Sequence, residues 1–426
     1  MRAVLAAISL CVLTACASTP AAPPAQPSAP TAPPAQATPP AITFELAPAR
    51  FHELPGWSQA DAQPALLAFK RSCARLRARP ADTALTGAAR YGGAVKDWLP
   101  ACAAADAAAP AQARAFFEAN FRPYAVTSRH GEAKLTGYYE PVFEGRRAPE
   151  GRFSEPLLAK PTDMLAIDVS EFVKALEIPA ERAPRGVWQG KVVGGRIMPY
   201  PARGELTPIP GQVLAYAHPA DLYDLQVQGS GRVTFPDGGQ LRAAWDGQNG
   251  RKWNSIFRTL RQRALILGPL NKNTVRAWMD SADPALVREV MNTDPSYVFF
   301  NLEAIDDPLA GPRGAQGVNL TPMGSIAVDP AYHPYGAVLF VDAVGPLANG
   351  DTGPFSRLLI AQDTGGAIRR GPLRGDVFFG VGEDAHALAA RMNAPAPRWW
   401  TLLPNTMSPP GSTDVPVALL TPARSG

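Results

Sequence analysis

After Ala125 the apolar residues of this chain come in short runs, each closed by Gly, Pro or Asp. Lys134–Tyr139, Gln212–Tyr216 and Leu225–Gln228 are of this kind. So are Ser325–Val328, Ala337–Val341, Arg357–Ala361, Val377–Gly380 and Trp399–Leu403. Short apolar runs between turn-forming residues read as strands joined by tight turns. A helix instead needs apolar residues at every third or fourth position over a longer window. That texture is confined to Trp57–Phe121, Asn254–Leu267, Thr274–Met291 and Glu383–Met392. The helix around Pro64–Cys73 opens on a proline, which the first turn tolerates. No internal repeat is visible. The expected fold class is mainly β with appended helices.

The N-terminus differs in kind. Arg2 precedes an apolar run from Ala3 to Leu13, then Thr14-Ala15-Cys16-Ala17. A charge, a short apolar core and small residues make a secretory signal, too short to span a bilayer. Cleavage after Ala17 is one reading. The other is that Leu13-Thr14-Ala15-Cys16 resembles a bacterial lipobox, which makes residues 1–15 a lipoprotein signal peptide and Cys16 the lipidated first residue. The second is favoured, with Ala17 pointing to the outer membrane and a body facing the periplasm. Residues 16–42 are nearly all Ala, Pro, Ser, Thr and Gln; nine of the chain's 46 prolines lie between Pro20 and Pro40. Such a tract reads as a semi-rigid tether reaching roughly 80 Å if extended.

Lys plus Arg is 41 and Asp plus Glu 37 in 426 residues, so charge gives no nucleic-acid footprint. Of four cysteines, Cys73 and Cys102 remain after the signal and anchor. In an oxidising compartment they pair, or they stay as buried thiols; the sequence leaves both open. The five histidines are scattered without metal-site spacing, and no cofactor is expected.

Three aspartates sit at the ends of expected strands: Asp329, Asp363 and Asp376. Carboxylates beside glycines at strand ends can face a cleft, where burial and like charge raise a pKa. Their ordinary job there is to cap turns. Asp351-Thr352-Gly353 and Asp363-Thr364-Gly365 match the aspartic-protease triplet, but they lie too close in sequence to belong to two lobes. A second constellation is polar and aromatic: Tyr138-Tyr139-Glu140-Pro141, Gln226–Gly231, Trp245–Gly250 and Pro295–Phe300. Amides and hydroxyls suit sugar hydroxyls and acetamido groups, and rings suit sugar faces. The plainer alternative is that the rings are core and the glycines turns.

Taken together and in order, the segments Leu135–Val142, Leu225–Gly231, Gly247–Ile256, Asn292–Phe300, Leu320–Pro330 and Ala361–Gly382 resemble the membrane-bound lytic murein transglycosylase A family. The last carries a module named for three aspartates. The resemblance covers roughly residues 55–405. Trp245 stands where the family commonly has Tyr, and Arg369-Arg370 lengthens the loop before Asp376.

The resemblance implies a double-psi β-barrel from 43–142 and 296–410. A smaller β domain is inserted at 143–295, a substrate groove lies between the two, and 411–426 is a tail. It implies cleavage of the MurNAc-β-1,4-GlcNAc bond of peptidoglycan with formation of 1,6-anhydroMurNAc ends. By motif position Asp376 is the catalytic acid/base and Asp363 its helper. Thr136, Tyr138, Gln228, Ser230, Tyr297 and Asp329 are the expected glycan contacts. The implied partners are peptidoglycan strands, the outer membrane through the lipid, and cell-wall synthesis proteins, with no nucleic acid. The rivals are a non-catalytic peptidoglycan-binding lipoprotein and a hydrolytic muramidase.

Overall fold

Two strands show why the sequence builds a barrel wrapped by helices. In Val338–Pro346, Val338 and Phe340 pack among the N-terminal helices, whereas Leu339 and Val341 point into the barrel. Thr352–Asp363 repeats this, with Leu358 and Ile360 outward and Leu359 and Ala361 inward. Side chains alternate across a strand, so a strand buried on both faces needs a continuous apolar run. The structure, a computed structural model, describes residues 42–85, 91–179, 183–184, 186–209, 211–407 and 413–414. The expected signal, Cys16 and all but the last residue of the tether lie outside the described residues, as does most of the 411–426 tail.

Ten strands form the barrel sheet, in the order Asn393–Pro395, Lys134–Glu140, Arg374–Val381, Ser325–Val328, Thr352–Asp363, Val338–Pro346, Arg398–Pro404, Phe121–Thr127, Thr43–Pro48 and Thr413–Asp414. Two neighbouring pairs run parallel: Lys134–Glu140 with Arg374–Val381, and Ser325–Val328 with Thr352–Asp363. Helices Gln63–Arg77, Val95–Ala107 and Ala113–Asn120 cover one face through Leu66, Phe69, Trp98 and Phe117. A disulfide joins Cys73 to Cys102 between the first two, which resolves the open question of these thiols. The bridge spans 29 residues. Closing a loop of that size stabilises by about 3–4 kcal/mol, mainly by restricting the unfolded chain.

The chain leaves the barrel at Pro141 and builds a second, six-stranded sheet, in the order Val298–Glu303, Gln240–Gln248, Gly231–Thr234, Val142–Arg146, Val213–Ala217 and Glu155–Leu158. The inserted unit therefore extends beyond the expected boundary at 295. Phe300 is the reason: it pairs with Trp245 and packs with Leu157, Val233 and Ala243 in the inserted core. A three-stranded sheet, Leu165–Asp168, Val187–Val193 and Arg196–Pro199, extends from this domain.

Three local expectations need correction. Leu225–Gln228 is not a strand but the end of helix Pro219–Gln228, whose first turn holds Pro219 and whose C-cap is Gly229 at φ 85°. The expected helix Thr274–Met291 is two helices, Lys272–Ser281 and Pro284–Asn292, separated where Asp283 caps the second by accepting from the Ala285 amide at 2.7 Å. The helix expected at Asn254–Leu267 is shorter, Ile256–Gln262.

Two polar clusters join inserted domain to barrel. Glu140, fully buried, accepts from Arg232 Nε at 3.0 Å and Arg242 Nε at 2.7 Å, and both guanidiniums also donate to the Ala310 carbonyl. Lys272 reaches Asp224 at 3.3 Å, the Tyr139 hydroxyl at 3.0 Å and Glu383 at 3.2 Å.

Candidate active site

Strand Ser325–Val328 lies between the two strands that carry the acids, and Ala327 is in register with both Asp363 and Asp376. Neighbouring strands lie about 4.8 Å apart, so the two aspartate backbones stand roughly 10 Å apart across Ala327. A bulge sets the position of Asp363. The register moves from Ile326–Ala361 to Ala327–Asp363, skipping Gln362. The bulged Gln362 is buried, donating to the Ala68 carbonyl and Ser72 hydroxyl and accepting from Ser325 at 2.5 Å. Bulges re-aim side chains beside functional sites, and this one is pinned by its own amide.

Asp376 takes its direction from strand alternation. Gly375 and Val377 face the barrel core, and a Cβ on Gly375 would lie 2.6 Å from Trp399 and 2.8 Å from Ile326. Asp376 and Phe378 therefore take the opposite face. The parallel neighbour places Thr136 beside Asp376 and Tyr138 beside Phe378. Thr136 Oγ1 donates to Asp376 Oδ1 at 2.7 Å, and the Tyr138 hydroxyl donates to Asp363 Oδ2 at 2.9 Å. The Tyr138 and Phe378 rings lie 5.3 Å apart and wall the pair on one side. The Ala315 amide donates to Asp363 Oδ1 at 2.9 Å.

The two carboxyls are thereby made unequal. Burial pushes the Asp376 carboxyl up to about 6, with Asp363 adding to the rise and Thr136 and Arg374 opposing it. Burial also raises Asp363, against the donors Ala315, Thr364 and Tyr138. Each Asp363 oxygen has a donor, whereas Asp376 Oδ2 has no hydrogen-bond partner among the described residues. The Tyr138 hydroxyl is held well above its ordinary value, by burial first and Asp363 second, and so stays a neutral donor. The arrangement holds a carboxyl with a raised pKa and a free oxygen beside a second carboxyl whose two oxygens both accept hydrogen bonds. Among the described residues no group of three His, Cys, Asp or Glu side chains is placed to hold a metal ion.

Because Thr136 lowers the Asp376 pKa, Thr136→Val is expected to raise it. Any activity that needs the protonated acid should then persist to higher pH in T136V than in wild type. A pH–rate profile checks this; a descending limb that stays put or moves to lower pH would refute the contact's role.

The other expected contacts divide. Gln228 is half-buried at the end of its helix, its Oε1 3.4 Å from the Tyr139 amide, with Ser230 buried where the chain turns into Gly231–Thr234. Tyr297 and Asp329 do not fit the role of glycan contacts. Tyr297 is 5% exposed, donates to the Pro156 carbonyl at 2.8 Å and packs with Leu158, Met164, Tyr200 and Phe299. Asp329 is 4% exposed, and its oxygens accept from the Ala331 and Gly371 amides at 3.0 and 3.1 Å. It fixes the loop leading to Asp376. Sequence reasoning missed Arg374, the Ala315 amide and the Gln362 bulge. The signal for Arg374 was an arginine two residues before the acid, and so on the same strand face.

The family model described as the MltA specific insert domain matches residues 134–301, and that of the 3D domain matches 324–401. The membrane-bound lytic murein transglycosylase A of Vibrio cholerae is 31% identical over 265 residues, 60% of this chain and 62% of that protein. The chain thus spans less than two thirds of that relative's length. The solved membrane-bound lytic murein transglycosylase of Agrobacterium tumefaciens is 30% identical with a TM-score of 0.67, covering 84% of this chain and 98% of that one. The MltA structure from Neisseria gonorrhoeae, in its monoclinic form, is 29% identical with a TM-score of 0.70, covering 86% and 94%. This chain belongs to the membrane-bound lytic murein transglycosylase A family.

Proposed function

We propose that the chain is a lytic transglycosylase that cleaves the MurNAc-β-1,4-GlcNAc bond of peptidoglycan with Asp376 as sole acid and base. The observation that carries this reading is the unequal pair: Asp376 raised to about 6 with one oxygen unpartnered, beside an Asp363 whose oxygens are both engaged. An ordinary glycosidase uses one carboxyl as acid and a second as nucleophile or base. Here the second carboxyl is already tied to Tyr138 and Ala315.

The steps balance with one acid. Asp376 Oδ2 gives its proton to the bridging oxygen, the muramyl C1–O bond breaks, and the ring gains oxocarbenium character. Asp376, now charged, takes the proton of the same sugar's C6 hydroxyl as that oxygen bonds to C1. The acid is regenerated and a 1,6-anhydro ring closes. The nucleophile belongs to the substrate, so proximity supplies much of the rate. Burial, with a smaller contribution from Asp363, keeps the Asp376 pKa high in the free enzyme, and when ionised Asp363 offers negative charge near the developing cation.

The names of the family's membrane-bound relatives favour an envelope location, and a lipid on Cys16 with the tether behind it would supply the attachment. Among the described residues no helix is long and apolar enough to cross a membrane. Digesting purified sacculi and weighing the soluble fragments tests the activity. The expected fragments are one water lighter than hydrolytic products. Reducing muramyl ends would make it a muramidase, and binding without soluble fragments would make it a tether.

A further inference from the structure

The hairpin Val187–Pro199 is built as few surface hairpins are. Its turn is Gly194-Gly195, with φ of 56° and 75°, and a Cβ on either would meet nothing within 4 Å. Positive φ at both positions is what a tight two-residue hairpin turn requires. The tip therefore stands clear of the body. Val192 pairs with Ile197, Val193 with Arg196, and Lys191 with Met198. Paired residues share a face and successive pairs alternate, so Val192 and Ile197 occupy one side, and Val193 and Met198 the other together with Arg196 and Lys191. Their exposures are 59%, 55%, 51% and 41%. A solvated antiparallel sheet ordinarily has one apolar face, packed on a core. Here one face of the tip, Val192 with Ile197, is apolar and exposed; the other sets Val193 and Met198 beside Lys191 and Arg196.

We propose that the hairpin is a second membrane contact, a wedge whose tip enters the interface of an anionic phospholipid bilayer. An exposed apolar face backed by a face that carries two cations is the amphipathic form that lies in a lipid interface. Charge favours the same occupant. Residues 186–199 contain Lys191 and Arg196 and no acidic side chain. Lys191 lies 4.0 Å from Asp163, and Arg196 makes no ion pair among the described residues. Apolar residues flanked by cations are the pattern that partitions into anionic lipid interfaces. A lipid at the far end of a tether would leave the body free to swing; the wedge fixes which face it turns to the membrane. From the proposed envelope location this takes only that a bilayer is within reach.

The full chain carrying Cys11→Ser, Cys16→Ser and Val193→Cys, labelled with nitrobenzoxadiazole, is added to phosphatidylglycerol–phosphatidylethanolamine vesicles containing doxyl-labelled lipid. Cys73 and Cys102 are bonded and do not compete for the label. A blue shift and quenching are expected at position 193, and neither in Val344→Cys, an exposed barrel position. Adding Val192→Asp and Ile197→Asp should abolish the quenching and weaken the hairpin's partition at least about tenfold, while digestion of sacculi is unchanged. An unquenched position 193, equal quenching at 344, or quenching that survives the two aspartates overturns the proposal. A blue shift without vesicles that grows with protein concentration overturns it in favour of self-association. Digestion reads the proposed activity separately, so either reading can fail alone.

Discussion

Asp376→Asn is expected to abolish release of soluble muropeptides, lowering turnover by about 10²–10⁴-fold, while the protein becomes more stable at neutral pH. The first effect follows from removing the carboxyl whose pKa is raised to about 6 and whose Oδ2 has no hydrogen-bond partner among the described residues. The second follows from linkage. The folded carboxyl titrates at about 6, above an unfolded aspartate near 4. Between these values the native state holds a proton that the unfolded chain has released, so stability falls as pH rises through the window and the full penalty applies above it. Two units correspond to about 3 kcal/mol at most. D376N should therefore melt above wild type at pH about 7.5 and with it at pH about 4. The same titration removes the acid, so wild-type activity should decline as pH rises past 6. A D376N protein that still lyses sacculi, or that melts with wild type at both pH values, would take the assignment away from Asp376.

Glu140→Ala is expected to destabilise the fold by about 3–5 kcal/mol, because it leaves two buried guanidiniums without their counter-ion. Arg232 and Arg242 retain only the Ala310 carbonyl in its absence. The urea midpoint reads the loss. The triad also sits where the chain passes from barrel to inserted domain, so E140A should weaken murein binding beyond its effect on stability. An unchanged midpoint would mean that the two arginines find water or other acceptors. Glu140→Gln, which keeps one acceptor oxygen, should lie between.

The residues behind both predictions differed in legibility. Asp363 and Asp376 could be noted as acids at strand ends, where aspartates ordinarily cap turns, and only the family resemblance gave them roles. Their inequality could not, since it depends on Thr136 and Tyr138, some 240 and 225 residues away in sequence. The barrel strands were legible because burial on both faces forces continuous apolar runs. Leu225–Gln228 misled for the complementary reason: its helix buries Leu222, Leu225 and Gln226 against the inserted sheet, so the apolar spacing blurs. Pro219 at the start and Gly229 at the end were the better guides. Tyr297 and Asp329 were named as glycan contacts with the resemblance, and their internal partners, the Pro156 carbonyl and the Ala331 and Gly371 amides, were not legible in the sequence. The Glu140 triad left only a faint trace, two arginines inside otherwise apolar strands, and sequence cannot say that they meet.

Residues 142–303 separate the strand bearing Thr136 from the strands bearing Asp363 and Asp376. A nascent chain emerging from its N-terminus presents both hydroxyl donors long before Asp363 and Asp376 are made. The parallel pairing of 134–140 with 374–381 is thus among the latest contacts to close, and distant pairings are slow. Fragments and half-folded intermediates consequently lack the Thr136–Asp376 and Tyr138–Asp363 contacts, and the unequal acid pair arises only in the finished molecule.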